Sequence, residues 1–451
     1  MNYFECLKYL DSLGQEVHGL QWGLETTTKV LTRLGNPHQK YPTAIIAGTN
    51  GKGSTAAMLA SILTQAGYRT GLYTSPHLVK VNERMRVDGA DISEGDFARA
   101  FSEVRHAVES LLEEKALGQV PSFFEFLTST GFHYFSQAGA GFVVLEVGMG
   151  GRLDATNVTR PRVAVITNVG LDHMEFLGST LAEIGREKAG VIKPGVPIVS
   201  GVEPGDAAKV IRRQCAEMGA ELLETDTIGG LSGLRSFQGH YLFNLSLGAE
   251  GFSGLSCPLL GRFQVKNAVA AVTAAWRLSQ DGFRITPTAI VKGLENTSWP
   301  GRLERILEHP LVLLDGAHNP AAARVLGEFI HEDLAGRRLR LVYASMRDKA
   351  IGEISEILFP LAEEVYLTRP HLTRAATPEE ILAMARFRPR RLVIENEPSL
   401  AVARACQASS EDDVVVIIGS LYLVGAVKKA LMEGQLQLAD RALPRPGARQ
   451  A

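Results

Sequence analysis

A short apolar run, Thr43-Ala44-Ile45-Ile46-Ala47, passes directly into Gly48-Thr49-Asn50-Gly51-Lys52-Gly53-Ser54-Thr55 and then into Ala56-Ala57-Met58-Leu59-Ala60. No other feature restricts the fold of this chain as strongly. The run suits a buried strand, the glycines mark a tight loop and the alanine-rich segment favours a helix, so the order is strand, glycine-rich loop, helix. Backbone N–H groups at a helix start carry partial positive charge, and glycines let them come close to phosphate oxygens. Lys52 adds a full charge, and a Ser or Thr hydroxyl can reach a magnesium ion bound to the phosphates. The usual P-loop spacing places Ser or Thr directly after the lysine, whereas Gly53 intervenes here. The flanking strand and helix, not the spacing, mark Gly48, Thr49, Asn50, Gly51, Lys52, Gly53 and Ser54 as a nucleotide-phosphate cradle. A glycine-rich turn that binds nothing is the alternative.

Amphipathic helices are expected at 2–13 and 24–34, ahead of this loop. After it, strand-like runs at Thr70–Tyr73, Gly141–Glu146, Val163–Thr167 and Pro197–Ser200 alternate with helical patterns at 52–66, 93–112, 122–137, 178–189 and 205–218. That rhythm predicts an α/β fold with a mostly parallel sheet covered on both faces. Residues 228–258, with the alternation His240-Tyr241-Leu242-Phe243-Asn244-Leu245, predict a small antiparallel hairpin, followed by helices at 265–279 and 286–294. The pattern breaks at Ser298-Trp299-Pro300-Gly301. A second alternation, with runs at Leu311–Asp315, 339–344, 364–368, 391–395 and 413–418, predicts a smaller Rossmann-like α/β domain. With 451 residues, the chain is long enough for two domains. The expected organisation is an ATP-binding domain over 1–298, a linker over 299–304, a second domain over 305–435 and a flexible tail over 436–451.

Charge and cysteine usage exclude other classes. Lys+Arg 47 against Asp+Glu 49 gives a net charge of -2, so no global basic field holds a nucleic acid. Cys6, Cys215, Cys257 and Cys406 are too scattered for a zinc spacing and too few for a disulfide scaffold, which predicts reduced thiols in the cytoplasm. The start of the chain lacks the blocks of a signal peptide, and Val414–Val427 is shorter than the ~20 residues of a membrane span. No membrane or nucleic-acid partner is expected.

Further candidates sit at strand ends. Glu146 closes the run 141–146 before the glycine-laden loop Val147–Ala155, and open α/β sheets place site residues at such carboxyl ends. Hard cations take oxygen ligands, so Glu146 is a candidate for magnesium; a solvated strand-end acid is the alternative. His173 ends Ile166-Thr167-Asn168-Val169-Gly170-Leu171-Asp172-His173, and an imidazole alone reads as an ordinary hydrogen-bonded side chain. Lys188, in Arg186-Glu187-Lys188-Ala189-Gly190, reads alone as a helix C-terminal cation favoured by the dipole.

Taken together, Gly48–Ser54, Tyr73-Thr74-Ser75-Pro76-His77-Leu78, Phe123-Phe124-Glu125, Glu146 to Asn157, Thr167 to His173 and Asp315-Gly316-Ala317-His318-Asn319-Pro320 resemble folylpolyglutamate synthase and bacterial dihydrofolate synthase, of the Mur ligase superfamily. The resemblance implies an ATP-dependent amide ligase of folate biosynthesis and one-carbon metabolism. It would add L-glutamate to dihydropteroate, to tetrahydrofolate polyglutamates, or to both, as a cytoplasmic monomer using ATP and two magnesium ions. By the same resemblance, Gly51 to Ser54 match the ATP-phosphate loop, Ser75, Glu146 and His173 the magnesium ligands, and Lys188 a carbamylated lysine. Asn267 matches an adenine-side contact, and Arg302 and Asp315 match nucleotide contacts. Ser122, Phe123, Phe124, Leu153, Asp154 and Ala155 lie where the family holds its pterin-bearing substrate, although plain core packing also suits the two phenylalanines. Lys52, Lys188 and His318 are the expected catalytic residues, and Arg374 and Ser420 are candidates for the incoming glutamate. Two alternatives stand beside this: a Mur-type ligase acting on a cell-wall precursor, for which no uridine diphosphate site is read before Thr43, and a nucleotide-switched binding module without chemistry.

Overall fold

The computed structural model describes residues 1–14, 23–237 and 239–438. The chain divides into two units, residues 1–258 with 263–298, and residues 259–262 with those from Trp299 onward.

In the first unit, α1 (Tyr3–Ser12) and α2 (Glu25–Arg33) precede β1 (Thr43–Ala47), α3 (Lys52–Gln65) and β2 (Thr70–Tyr73). Then come β3 (Met85–Val87), β4 (Ala90–Asp91), α4 (Glu94–Glu113), α5 (Phe123–Gln137) and β5 (Phe142–Glu146). β6 (Val163–Ile166), α6 (Met174–Leu177), α7 (Leu181–Ala189), β7 (Ile198–Ser200), α8 (Asp206–Met218) and β8 (Leu222–Glu224) complete the layer. Among the described residues these strands form one eight-stranded sheet in the order β4-β3-β2-β5-β1-β6-β7-β8. Only β3 and β4 run antiparallel to their neighbours. β1 is buried at every residue, because a central strand of a parallel sheet has helices on both faces and no wet side. Helix starts follow their sequence signals: Ser122 with Glu125 and Thr180 with Glu183 form reciprocal capping boxes at α5 and α7. Phe101 of α4 and Phe126 of α5 pack with ring centroids 4.5 Å apart, beside Tyr9 of α1.

Two sequence expectations need correction here, and two short strands had not been expected. The helix expected over 178–189 begins at Leu181, because Thr180 caps it and α6 is a separate turn of four residues. β3 and β4, joined through Asp88-Gly89, are too short to show a period of two. The expected hairpin over 228–258 is, among the described residues, a three-stranded antiparallel sheet that follows α9 (Thr225–Ile228): β9 (Gly229–Phe237), β10 (His240–Leu247) and β11 (Glu250–Cys257). β9 reads GGLSGLRSF and is exposed along most of its length, so it lacks the apolar alternation by which its partner β10 was legible. α10 (Phe263–Gln280) and α11 (Pro287–Glu295) close this unit.

The second unit contains β12 (Glu304–Leu307), β13 (Leu311–Leu314), α12 (Pro320–Asp333), β14 (Leu339–Tyr343), α13 (Ile351–Leu358) and β15 (Glu364–Leu367). α14 (Pro378–Met384), β16 (Leu392–Ile394), α15 (Pro398–Gln407), β17 (Val414–Ile418) and α16 (Leu421–Met432) follow. Among the described residues its six strands are ordered β12-β13-β17-β14-β15-β16, all parallel except β12. This is the smaller Rossmann-like layer that the second alternation predicts. Leu436 is 4% exposed, and the rest of the expected tail, from residue 439, lies outside the described residues. No helix among the described residues is long and apolar enough to cross a membrane.

α11 seats on α3 at Gly293, where a Cβ would stand 2.4 Å from the Cα and 2.8 Å from the N of Ile62. Backbone cannot move aside as a rotamer can. The clash in Gly293→Ala therefore outweighs the ~1 kcal/mol that alanine gains over glycine in a helix, and a net loss of about 2 kcal/mol is expected, at the scale of core overpacking. Urea unfolding midpoints of the two proteins measure it; an unchanged or raised midpoint contradicts this packing.

Candidate active site

β2, β5, β1 and β6 are consecutive and parallel in the sheet. Their carboxyl ends therefore share one edge. Onto that edge they deliver, in order, Ser75, Glu146, the loop Gly48–Ser54 and the segment Thr167–His173, which are far apart in sequence. An open α/β sheet binds ligands at this kind of edge.

The glycine loop is clamped by the segment after β6. The Thr167 hydroxyl donates to the Asn50 carbonyl at 2.6 Å, and the Asn168 side chain both donates to that carbonyl at 3.0 Å and accepts the Asn50 N–H at 2.9 Å. Thr49 donates its N–H to the Asn168 carbonyl at 3.1 Å, and its hydroxyl accepts the Gly170 N–H at 2.9 Å. The approach leaves no room for a side chain: a Cβ on Gly48 would fall 1.9 Å from Thr167 Oγ1, and one on Gly51 2.3 Å from Asn267 Oδ1. Both glycines also have positive φ, 149° and 80°, which disfavours L side chains. Lys52 folds back over the loop, donating to the carbonyls of Gly48 and Thr49 at 3.2 Å each. Ser54 is buried at the first turn of α3, and Asn267 on α10 is held by Gln264 at 2.8 Å. Thr167 and Asn168 are site-building residues that the sequence analysis missed as such; the available signal was two polar residues directly after a buried strand.

Lys188 is not the solvated helix-end cation of the simple reading. It is 3% exposed and donates to the Gly48 carbonyl at 2.9 Å. Burial, and secondly the charge of Lys52, bring its amine down to about 7, against the opposing pull of Asp172 and Asp154. The turn that carries it is locked to the glycine loop after β5. The N–H of Arg152 donates to the Glu187 carbonyl at 2.8 Å, and its guanidinium meets the Glu187 carboxylate at 3.0 Å. The Asn157 amide donates to the carbonyls of Arg152 and Gly190 at 3.1 and 3.0 Å.

Glu146 is 4% exposed and accepts the Ser75 N–H at 3.1 Å, so the solvated strand-end alternative fails. His173 opens α6; its N–H donates to Asp172 Oδ1 at 2.9 Å, and that oxygen lies 4.0 Å from His173 Nε2. Among the described residues no three His, Cys, Asp or Glu side chains group as a metal cage. A buried carboxylate on the same strand edge as the glycine loop would nevertheless fit magnesium, which takes one or two protein carboxylates and completes its shell with phosphate oxygens and water.

Beside Glu146 lie the candidate acceptor residues. The Ser122 hydroxyl accepts the Glu125 N–H at 3.4 Å, which makes Ser122 the cap of α5, and donates to Glu125 Oε2 at 2.7 Å. Phe124 is 6% exposed, stands edge-on to Tyr73, and fills the space a Cβ on Gly148 would need, 2.6 Å away. Phe123 is half-buried, as is Leu153, while Ala155 is buried. Asp154 is buried and accepts the N–H groups of Met149 and Thr156 at 3.0 Å each; burial raises its carboxyl pKa, as it does that of Glu125. Thr27 Oγ1, Glu125 Oε1 and Asn157 Oδ1 are buried without a hydrogen-bond partner, on α2, α5 and the turn Ala155–Val158, which pack on one another.

The remaining candidates belong to the second unit, at the carboxyl ends of the neighbouring strands β13 and β17. Asp315 accepts the N–H groups of Leu303 and Ala317 at 2.9 and 2.8 Å, and burial raises its pKa while Arg302 and His318 oppose the rise. Arg302 lies against Gly316, where a Cβ would be 2.4 Å from Nη1. His318 Nδ1 is 2.8 Å from the Gly316 carbonyl. Ser420 caps α16, and the Arg374 guanidinium stacks 4.7 Å from the ring centroid of Tyr422.

Residues 127–275 match the Mur ligase middle domain and residues 301–421 the Mur ligase glutamate ligase domain. The dihydrofolate synthase/folylpolyglutamate synthase of Bacillus subtilis is 33% identical over 420 residues, 93% of this chain and 97% of its own. The folylpolyglutamate synthase of Lacticaseibacillus casei is 35% identical over 436 residues, 96% of this chain and all of its own. Among solved structures, that of Escherichia coli FolC in complex with DHPP and ADP aligns with a TM-score of 0.85 at 31% identity, over 96% of this chain and 99% of that one. With the two α/β layers, these matches define an ATP-dependent ligase of the Mur type. Within that class the chain belongs to the dihydrofolate synthase/folylpolyglutamate synthase family, which joins glutamate to folates. The cell-wall ligase and the non-catalytic module fall away with that membership.

The buried amine has a consequence for stability. Lys188 titrates near 10.5 when exposed and about 7 in the fold, so between those values the unfolded chain holds more protons and the folded state gains stability as pH rises. The gain approaches ~1.4 kcal/mol per pH unit for one group. Lys188→Met lacks it. Urea midpoints measured from pH 7 to 10 are expected to climb for the parent relative to the variant; parallel curves would contradict a buried neutral amine.

Proposed function

We propose that this chain is bifunctional, attaching the first L-glutamate to dihydropteroate and extending tetrahydrofolate with further glutamates, in both cases through an acyl phosphate made from ATP. The observation that carries the ligase chemistry is the shared strand edge, where a clamped phosphate cradle stands beside the buried Glu146 and the Phe123–Phe124 pair. Two activities in one chain are supported by the Bacillus subtilis relative, whose name carries both; the Lacticaseibacillus casei relative is named for one.

A carboxylate is a poor electrophile, and transfer of the ATP γ-phosphoryl to it creates a good leaving group. The α-amino group of glutamate then attacks the acyl carbon, and the tetrahedral intermediate collapses to amide and phosphate. Positioning and electrostatics dominate such a reaction. The N–H groups of Gly51 to Ser54 hold the phosphates, and Lys52 exchanges its carbonyl partners for the transferring group. Asn267, Arg302 and Asp315 bind the nucleotide. Ser75, Glu146 and His173 would hold two magnesium ions, which screen the repulsion between acceptor carboxylate and triphosphate. Lys188, with an amine largely neutral above about pH 7, can attack carbon dioxide, forming an N–C bond and releasing one amine proton to solvent; the resulting carbamate is an oxygen anion that would suit the second cation.

Phe123 and Phe124 with Leu153, Asp154 and Ala155 take the flat heterocycle. The three unpartnered polar atoms on α2, α5 and the turn Ala155–Val158 offer its polar edge hydrogen bonds, while Ser122 holds the helix start in place. Arg374 and Ser420 take the carboxylates of glutamate, and His318 serves the phosphates or the incoming amine.

ADP release with glutamate plus dihydropteroate, tetrahydrofolate or neither tests the reading. Release is expected with each acceptor and not without one; activity with a single acceptor reduces the chain to one function. Lys52→Ala and Glu146→Ala are each expected to cut turnover by about a thousandfold, the scale of losing a transition-state charge contact. Undiminished turnover in either folded variant overturns these assignments. Lys188→Met is expected to lose activity together with the carbamate carbon signal seen by 13C NMR in labelled bicarbonate.

A further inference from the structure

Arg84 heads the large side chains that are fully withdrawn from solvent, at 1% exposure, in the turn Val81–Arg84 that leads into β3. A guanidinium stays charged in a protein, so such burial requires its donors and its flat face to be matched closely. Its Nε–H donates to His77 Nδ1 at 2.9 Å. Its Cζ lies 5.4 Å from the centroid of the Phe123 ring, within the range of a cation–π contact. Its carbonyl accepts the Thr74 N–H at 3.0 Å.

These contacts join two parts of the site. Thr74 and His77 bracket Ser75, whose N–H rests on the Glu146 carboxylate. Phe123 begins α5 and forms half of the aromatic pair. One planar cation thus ties the segment on the phosphate side to the ring on the acceptor side. The hydrogen bond has a second effect. An arginine Nε can only donate, so Nδ1 of His77 must accept and the imidazole proton resides on Nε2.

We propose that Arg84 is a positioning residue of the ligase reaction: through His77 and Phe123 it fixes the acceptor's ring-binding step relative to the Ser75–Glu146 pair, so that the acceptor carboxylate meets the transferring phosphoryl group in line. This rests on the ligase reading given above. Lysine keeps the charge but has neither the fork nor the flat face, so it cannot make both contacts.

The test uses the full chain with Arg84→Lys, Arg84→Met, His77→Gln and the double variant His77→Gln/Arg84→Lys, with melting temperature and ADP-release kinetics measured for each. For Arg84→Lys the acceptor KM is expected to rise, and kcat to fall, by about tenfold or more, since a misplacement of about 1 Å costs up to a hundredfold. KM for ATP should stay within about twofold, and Arg84→Met should be at least as impaired as the lysine variant. The double variant is expected to lose little beyond Arg84→Lys, because one residue acts through the other. Proportional increases in every KM that track a falling melting temperature would make Arg84 a structural residue and overturn the proposal. So would multiplicative losses in the double variant, or unchanged kinetics in Arg84→Lys. If the arginine variants do not fold, His77→Gln decides alone: a raised acceptor KM with an unchanged ATP KM upholds the coupling, and no change removes it. The parent enzyme keeps the two readings apart, since parental ADP release that needs a folate acceptor sustains the ligase reading whatever Arg84 does, and its absence overturns both.

Discussion

The site depends on one close approach, that of the Gly48–Asn50 backbone to Thr167 and Asn168. At this contact β1 and β6, adjacent in the sheet, turn their following loops into each other, and six hydrogen bonds link them. A loop tied in this way is organised before a nucleotide arrives, so binding does not have to meet the entropy of ordering it. The same approach excludes a side chain at Gly48 and leaves its carbonyl facing two amino groups, those of Lys52 and Lys188.

Those two cations explain much of the local chemistry. Lys52 is half-exposed and lies along the loop carbonyls, whereas Lys188 is enclosed and its amine pKa is lowered by burial and by the charge of Lys52. In the proposed reaction that difference gives the same residue type two roles, one a counter-charge and the other a nucleophile toward carbon dioxide. The enclosure is built by Arg152, Glu187 and Asn157, which fasten the end of α7 to the loop after β5. Glycine at 190 belongs to the same fastening, since a Cβ there would stand 2.4 Å from the Cα of Arg152.

Much of this was legible in sequence where a local rule governs. β1 and β2 follow from apolar runs, and the strand ends carrying Glu146 and His173 follow from the same runs, whereas the cap at Thr180 went unread and the start of α7 was placed too early. β9 and β12 were not legible, because an exposed glycine-rich strand and a four-residue edge strand have no periodicity to read. The roles of Ser75, Asn267, Arg302 and Asp315 came through resemblance, since nothing in their local sequence separates a ligand contact from a cap, a surface cation or a strand-end acid. Ser122 shows the limit from the other side: its neighbours announce a helix cap, and the fold uses it as one.

The amino-acid sequence by itself determined the alternation of strands and helices, the glycine loop ahead of α3 and the absence of a basic field for nucleic acid, because hydrophobic period, backbone freedom and summed charge are properties of the chain as written. Only the tertiary structure decided what surrounds Thr167, Lys188 and Arg84. Their chemistry comes from what long-range packing puts against them: a carbonyl across a strand boundary, a second ammonium group, a histidine ring with a phenylalanine face. Desolvation and the directions of hydrogen bonds exist only after strands distant in sequence have become neighbours.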